Sequence, residues 1–135
     1  MTDIVKAAGI IIQDRKVLFV RAAGKNILMA PGGKPHVGET LEQTLVRELD
    51  EELGLQVRPE DFEPFGDYVR PAAGQPGKTV HMHCFMVKQW QGEPRPSQEI
   101  EEMRWLTSEL PEDLEVASIF GHIILPELQK RGLVD

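Results

Sequence analysis

GKPHVGETLEQTLVRELDEELGL, Gly33 to Leu55, is the stretch that decides how this 135-residue chain folds. Its middle reads as a helix with both ends marked. Thr40, followed three residues later by Gln43, is a capping box in which each side chain satisfies an orphaned backbone N–H of the other. Gly54 supplies a left-handed stop, and neither Pro nor Gly interrupts the span between. Leu41, Leu45, Leu49 and Leu53 recur at four-residue spacing and, with Val46, predict the buried stripe. Helical geometry then places Glu48, Glu51 and Glu52 within one arc of about 100°.

Three carboxylates that close together repel one another, and Glu52 projects beside Leu41 and Leu45, where solvation is incomplete. A divalent cation relieves both problems. Arg47 lies one turn before Glu51 and is expected to pair with it and hold the carboxylate. A solvated acidic face is the ordinary reading of three glutamates on a helix. The loop before this helix argues otherwise. Pro31-Gly32-Gly33 forms a tight turn whose backbone approaches a ligand without Cβ interference and whose carbonyls are free to coordinate. Carbonyl oxygen beside clustered carboxylates suits Mg²⁺, a hard ion that takes oxygen ligands and keeps water, with Mn²⁺ as the alternative.

Composition sets limits on partners. The net charge is −7, and no basic stripe exists to neutralise a nucleic-acid polymer. An acidic protein that handles phosphate esters needs a cation to mediate, in agreement with the metal reading. Cys84 is the only cysteine and lies in an apolar strand, so it reads as a buried thiol and not as half of a disulfide. The longest apolar run, Ala7 to Ile12, is too short to span a membrane, and the N-terminus lacks a signal-peptide pattern. A cytoplasmic location is expected.

Outward from the deciding stretch, Ile4 to Ile12 and Val17 to Ala22 read as strands joined by the turn Gln13 to Lys16. Ile27 to Ala30 is a short strand leading to the glycine loop. Phe62 to Arg70, Thr79 to Gln89 and Glu101 to Leu106 are further strands, separated by breaker-rich loops at 71–78 and 91–97. Val116 to Lys130 reads as a terminal helix that Pro126 kinks or restarts. Two helices separated by many strands indicate one α/β domain over residues 1–135, a sandwich with a mixed sheet.

The 33–55 stretch fits the pattern G-x5-E-x7-R-E-U-x-E-E-x-G-U, U being aliphatic, at every position: Gly33, Glu39, Arg47, Glu48, Leu49, Glu51, Glu52, Gly54, Leu55. It resembles the box of the Nudix hydrolases. That resemblance implies an α/β/α sandwich in which a curved mixed sheet lies between helices, with the box as loop–helix–loop. It implies hydrolysis of a nucleoside diphosphate linked to another group, by attack of water on phosphorus. On the same ground Glu48, Glu51 and Glu52 are metal ligands, with the Gly32 carbonyl as a fourth. Glu39 organises the loop and helix start, and Arg47 orients the ligands.

The resemblance leaves the general base open between a box glutamate and a late acid. In the segment Glu99 to Trp105, Glu102 is the first choice and Glu99 the second. For the substrate, Arg21 stands where related sequences place a phosphate-binding Arg. Lys34 follows the double glycine and is in reach of a terminal phosphate, with Gly33 beside it. His81 and His83 share one face of the long strand with Phe85 and are expected to touch the substrate or a polar side of the core. Tyr68 and Phe120 are the aromatics available to stack on a base, although core packing is their more ordinary role.

The Pro-Gly-Gly-Lys loop resembles the MutT-like branch, in which an ordinary or oxidised (d)NTP becomes the monophosphate plus pyrophosphate. Pro71, 16 residues after Leu55, matches a spacing that marks ADP-ribose pyrophosphatases, so ADP-ribose or a sugar nucleotide is the alternative. A nucleotide-sensing domain without turnover is a third reading; sensors typically lose box glutamates, and here all three are present. Related enzymes are often homodimers.

Overall fold

Alternation along the central strands divides the apolar side chains between two cores, one on each face of the sheet. In the computed structural model, which describes residues 3–72 and 75–135, β1 (Asp3–Ile10) sends Ala8 and Ile10 to one side and Ala7 to the other. β3 (Lys16–Ala22) does the same, with Val17 and Phe19 opposite to Leu18 and Val20. Period-two alternation buried on both faces requires a cover on each side, and helices supply it.

The remaining strands are β2 (Ile12–Gln13), β4 (Ile27–Leu28), β5 (Gly32–Gly33), β6 (Phe62–Pro71), β7 (Thr79–Val87), β8 (Ile100–Leu106) and β9 (Glu115–Val116). They pair in the orders β5-β1-β7-β6, β2-β3-β8 and β4-β9. β1 runs parallel to β7, while β5 and β6 are antiparallel to their neighbours, so the sheet is mixed as expected. Ile11 interrupts the first strand anticipated over Ile4 to Ile12. Its carbonyl accepts from Leu18 N–H at 3.0 Å, which hands the chain from one sheet to the next. Asp14 and Arg15 both take positive φ, 53° and 63°, the conformation that a tight hairpin turn demands.

α1 (Leu41–Leu53) begins and ends as its sequence requires. Thr40 accepts from Gln43 N–H, Gln43 reciprocates at Thr40 N–H, and Gly54 closes the helix at φ 69°. Leu45, Leu49 and Leu53 are fully buried against the sheet with Phe85 and Val87. The opposite face is covered by the C-terminal helical segment. Its course differs from the continuous helix anticipated from Val116. Glu115–Val116 is a strand, Ile119–Ile124 is wound as a π-helix, and α2 (Leu125–Lys130) follows. Leu125 N–H bonds to Phe120 C=O, five residues back, immediately before Pro126, which has no N–H to continue the ladder. The restart expected at Pro126 therefore takes the form of a change of helical winding.

Candidate active site

Gly33 is what brings the helix carboxylates to the sheet. β5 is an edge strand whose Gly33 faces Ala7 and whose Gly32 faces Ala8. A Cβ on Gly32 would stand 2.0 Å from Ala7 O, and one on Gly33 would stand 2.7 Å from the Glu48 carboxyl carbon. Only glycine admits both the strand pairing and the close approach of the helix. Gly32 N–H donates to Glu52 Oε1 at 2.9 Å, tying the third carboxylate to the same edge.

Arg47 and Glu39 hold this arrangement from behind. Arg47 Nε and Nη2 grip the two Glu39 oxygens at 2.8 and 2.9 Å, and Nη1 donates to Glu48 Oε1 at 2.5 Å. Arg47 Nη2 also reaches Lys34 C=O at 3.1 Å. The pairing expected with Glu51 is looser, at 3.6 Å, so what Arg47 orients is Glu48. Glu39 accepts further from His36 N–H and Thr44 O–H, both at 2.9 Å. Its bonds thus link the loop at His36 to the helix start at Thr44 and to Arg47. The Arg47 fork, first among these donors, holds the Glu39 carboxyl well below the usual carboxylate range.

Glu48, Glu51 and Glu52 open into one cleft of ≈ 290 Å³, lined also by His36, Arg47, Gln98 and Glu99. Burial, aggravated by Glu48, Glu51 and Glu99, pushes the Glu52 carboxyl up to about 8 despite its bond from Gly32 N–H. Burial raises Glu48 as well, against the pull of Arg47. Among the described residues no three acidic, His or Cys groups are drawn tightly enough together to hold an ion as they stand. Four carboxylates around one cleft, one of them deeply desolvated, nonetheless form an oxygen donor set short of positive charge. That set fits a hard divalent cation.

A second cleft, of ≈ 260 Å³, lies across β1, β7 and the end of β6 on the opposite face. Met29, Met82, Val80 and Phe120 form its apolar walls, and Lys6, Lys34 and Arg70 are its charged groups. Lys34, expected within reach of a terminal phosphate, lines this cleft. Lys6 was not anticipated, although a Lys between Ile4 and Ala8 on a buried face was the signal for it. His36, inside the deciding stretch itself, also escaped notice. Of the two aromatics considered for stacking, Phe120 lines the cleft but is buried edge-on against Phe19, 6.1 Å between centroids. Tyr68 packs against the same core.

Four expected site residues lie elsewhere. Arg21 Nε pairs with Glu102 Oε1 at 2.9 Å, its Nη1 lies 3.6 Å from Glu101, and it donates to Lys25 C=O. Glu102 also meets Arg104 at 3.6 Å. The charges of Arg21 and Glu102 satisfy one another across the β3–β8 pair, and neither lines either cleft. The late acid in the carboxylate cleft is Glu99, which Gln98, at φ 58°, precedes. His81 and His83 alternate with the buried Met82 and Cys84, so they face away from the apolar cleft. Asp3 stands 3.4 Å from His81, and Asp67 binds His83 at 2.8 Å. Neither His lines the carboxylate cleft.

An acid-faced helix opened by a glycine edge strand, on one side of a mixed sheet, forms an oxygen-donor set of the kind that suits a divalent cation. The chain belongs to the Nudix hydrolases: the family model described as NUDIX domain matches residues 3–123. Enzymes of this family act on nucleotides with a divalent metal ion. The chain is 38% identical over 93 residues to the 8-oxo-dGTP diphosphatase of Escherichia coli, covering 65% of this chain and 68% of that protein. It is 35% identical to the 8-oxo-dGTP diphosphatase of Haemophilus influenzae over 65% of each chain. These stretches span about two thirds of the curated relatives' length. The solution structure of the Escherichia coli ORF135 protein superposes with a TM-score of 0.74 at 28% identity, covering 97% of this chain and 91% of that one. Among the described residues no helix is long and apolar enough to cross a membrane.

Proposed function

We propose that this Nudix hydrolase is a Mg²⁺-dependent pyrophosphohydrolase of nucleoside triphosphates, oxidised ones included, releasing the monophosphate and pyrophosphate. The observation that carries this reading is the placement of the two clefts on opposite faces of the β5 edge. A base in the apolar cleft leaves its phosphates to pass over Gly32 and Gly33, where no side chain obstructs them, toward Glu48, Glu51 and Glu52. The names of the curated relatives support an oxidised purine as one such base.

Each residue then has a chemical task. Glu48, Glu51 and Glu52 would hold the cation, with Arg47 and Glu39 fixing the first of them. When bound, the cation supplies charge stabilisation to the phosphoryl oxygens and lowers the pKa of water. Water attacks phosphorus as the anhydride P–O bond breaks, and the bridging oxygen leaves with the departing phosphate. The proton lost by the water passes to a carboxylate of the cleft. Glu99 is the candidate for that role because it stands with the box glutamates and no Arg among the described residues engages it.

Pro71 lines the apolar cleft, which keeps ADP-ribose in view as the second substrate class. The deciding assay incubates the protein with Mg²⁺ and dNTPs, 8-oxo-dGTP, ADP-ribose and sugar nucleotides, and separates the products chromatographically. Monophosphate plus pyrophosphate from a triphosphate is the expected outcome. Turnover of ADP-ribose alone selects the second class. No metal-dependent product from any of them means a binding module and overturns the reading.

A further inference from the structure

Lys6 is the one charged side chain that β1 contributes to the second cleft. β1 presents Ile4, Lys6 and Ala8 to this face, and β7 presents Val80, Met82 and Cys84 beside them. Lys6 registers with Met82 on one side. On the other, the antiparallel pairing of Ala7 with Gly33 carries Lys34 alongside it. Like charges on neighbouring strands destabilise a sheet. Burial first, and the charge of Lys34 second, hold the Lys6 ammonium below the usual lysine range. No carboxylate among the described residues lines the cleft to offset them. The Lys6 ammonium reaches solvent from this apolar setting and is free to take an acceptor from outside the chain.

The two lysines differ in position. Lys34 follows the glycine edge and also lines the adjoining groove with Pro35, so it stands at the rim where phosphates would cross. Lys6 lies one strand further in, among Ile4 and Met82, on the face opposite to the carboxylates. Its position is that of a base contact. Ammonium donates and cannot accept, so it pairs with a base edge that offers oxygen and is left unpaired by an amino group.

We propose that Lys6 is a specificity-determining residue, selecting nucleotides whose base turns a carbonyl oxygen toward the sheet over those that turn an exocyclic amino group there. The inference rests on the nucleotide reading given above and adds a preference that reading does not contain.

Two substrate pairs differ by that exchange of carbonyl for amino group: dITP with dATP, and dUTP with dCTP. kcat/KM for all four would be measured with Mg²⁺ for the full chain and for Lys6→Met and Lys34→Met. The full chain is expected to favour the carbonyl member of each pair by about 10- to 100-fold, the scale of a hydrogen bond to a charged donor. Lys6→Met should bring both ratios close to one, mainly through KM. Lys34→Met should weaken all four nucleotides while keeping the ratios. Calorimetric binding of the non-hydrolysable α,β-methylene analogues of dITP and dATP would follow the same pattern without turnover. A full chain with no preference overturns the proposal, and so does a Lys6→Met variant that loses all four substrates equally. A folded protein that hydrolyses no nucleotide at all instead removes the nucleotide reading beneath it.

Discussion

Gly33 and Glu48 share a space that one Cβ would fill: an added methyl would lie 2.7 Å from the Glu48 carboxyl carbon and 2.9 and 3.0 Å from its oxygens. The glycine is therefore a constraint on where the Glu48 carboxylate sits. Gly33→Ala should push Glu48 outward while leaving the two-residue strand paired with β1. Displacements of this size in a catalytic group cost about 100-fold in rate. The expected result is a fall in kcat/KM of that order with little change in melting temperature. An active Gly33→Ala enzyme would mean that Glu48 need not lie against the loop.

Arg47 separates geometry from charge. Its fork grips Glu39 through two nitrogens and Glu48 through a third. Lysine keeps the charge and loses the fork, so Arg47→Lys should lower kcat by at least about tenfold. Glu39→Gln removes the charge at the other end of the grip and should loosen the same loop. Both variants are expected to require more Mg²⁺ for half-maximal activity. Equal activity of Arg47→Lys and the parent would show that charge alone suffices.

Glu99 lines the carboxylate cleft, while Glu102, the first choice by spacing along the chain, pairs with Arg21. Glu99→Gln should slow turnover by about 100-fold, within the span attributed to general-base catalysis, while apparent Mg²⁺ affinity is largely kept. Glu102→Gln releases Arg21 and should affect stability more than rate. Glu51→Gln removes a ligand charge without core volume and should abolish turnover in a folded protein. Steady-state rates and Mg²⁺ titrations on the three variants distinguish these outcomes. A slow Glu102→Gln with a normal Glu99→Gln would return the base to Glu102.

Legibility in the sequence followed the range of the interactions. The cap at Thr40, the stop at Gly54, the Leu stripe and the carboxylate arc are all set within one helix, so spacing alone defines them. The hairpin at Asp14 and the mixed α/β class follow from similarly local patterns. Which acid enters the cleft depends on the β3–β8 register that sets Arg21 opposite Glu102, and nothing within Glu99 to Trp105 encodes that pairing. The placement of the histidines was hidden for a related reason. Alternation gives them a common face, but which face carries the apolar cleft depends on where the C-terminal segment packs. Its π-wound stretch, Ile119–Ile124, has the same apolar spacing as an α-helix, so Pro126 alone marks the change of winding in the sequence.

Asp61 provides a pH-dependent test of the scaffold away from the site. Its buried carboxylate accepts from Arg58 N–H and Gln89 Nε2, both at 2.9 Å, and the first of these contributes most to holding its pKa below the ordinary 3.8. A carboxyl depressed in the folded state stabilises above its unfolded pKa and loses that contribution as pH falls through its folded one. Asp61→Asn should therefore lower the urea midpoint most near neutrality. The gap to the parent should close as pH drops from about 4 toward 2. A difference that ignores pH would assign the effect to shape.

Glu52 sets stability against function. Its carboxylate is mostly buried, has one backbone donor at 2.9 Å, and faces Glu48, Glu51 and Glu99. Without a cation an ionised group there works against folding; in the proposed site it is a ligand. Glutamine keeps an oxygen for Gly32 N–H and drops the charge, so Glu52→Gln should raise the melting temperature in chelator while cutting turnover. The rise in melting temperature on adding Mg²⁺ should shrink in the variant, because cation binding stabilises the fold only in proportion to its affinity. Calorimetry with and without Mg²⁺ measures both quantities on one sample. If Glu52→Gln instead melts lower in chelator and gains as much from Mg²⁺ as the parent does, Glu52 is a structural acceptor for Gly32 and not part of the cation site.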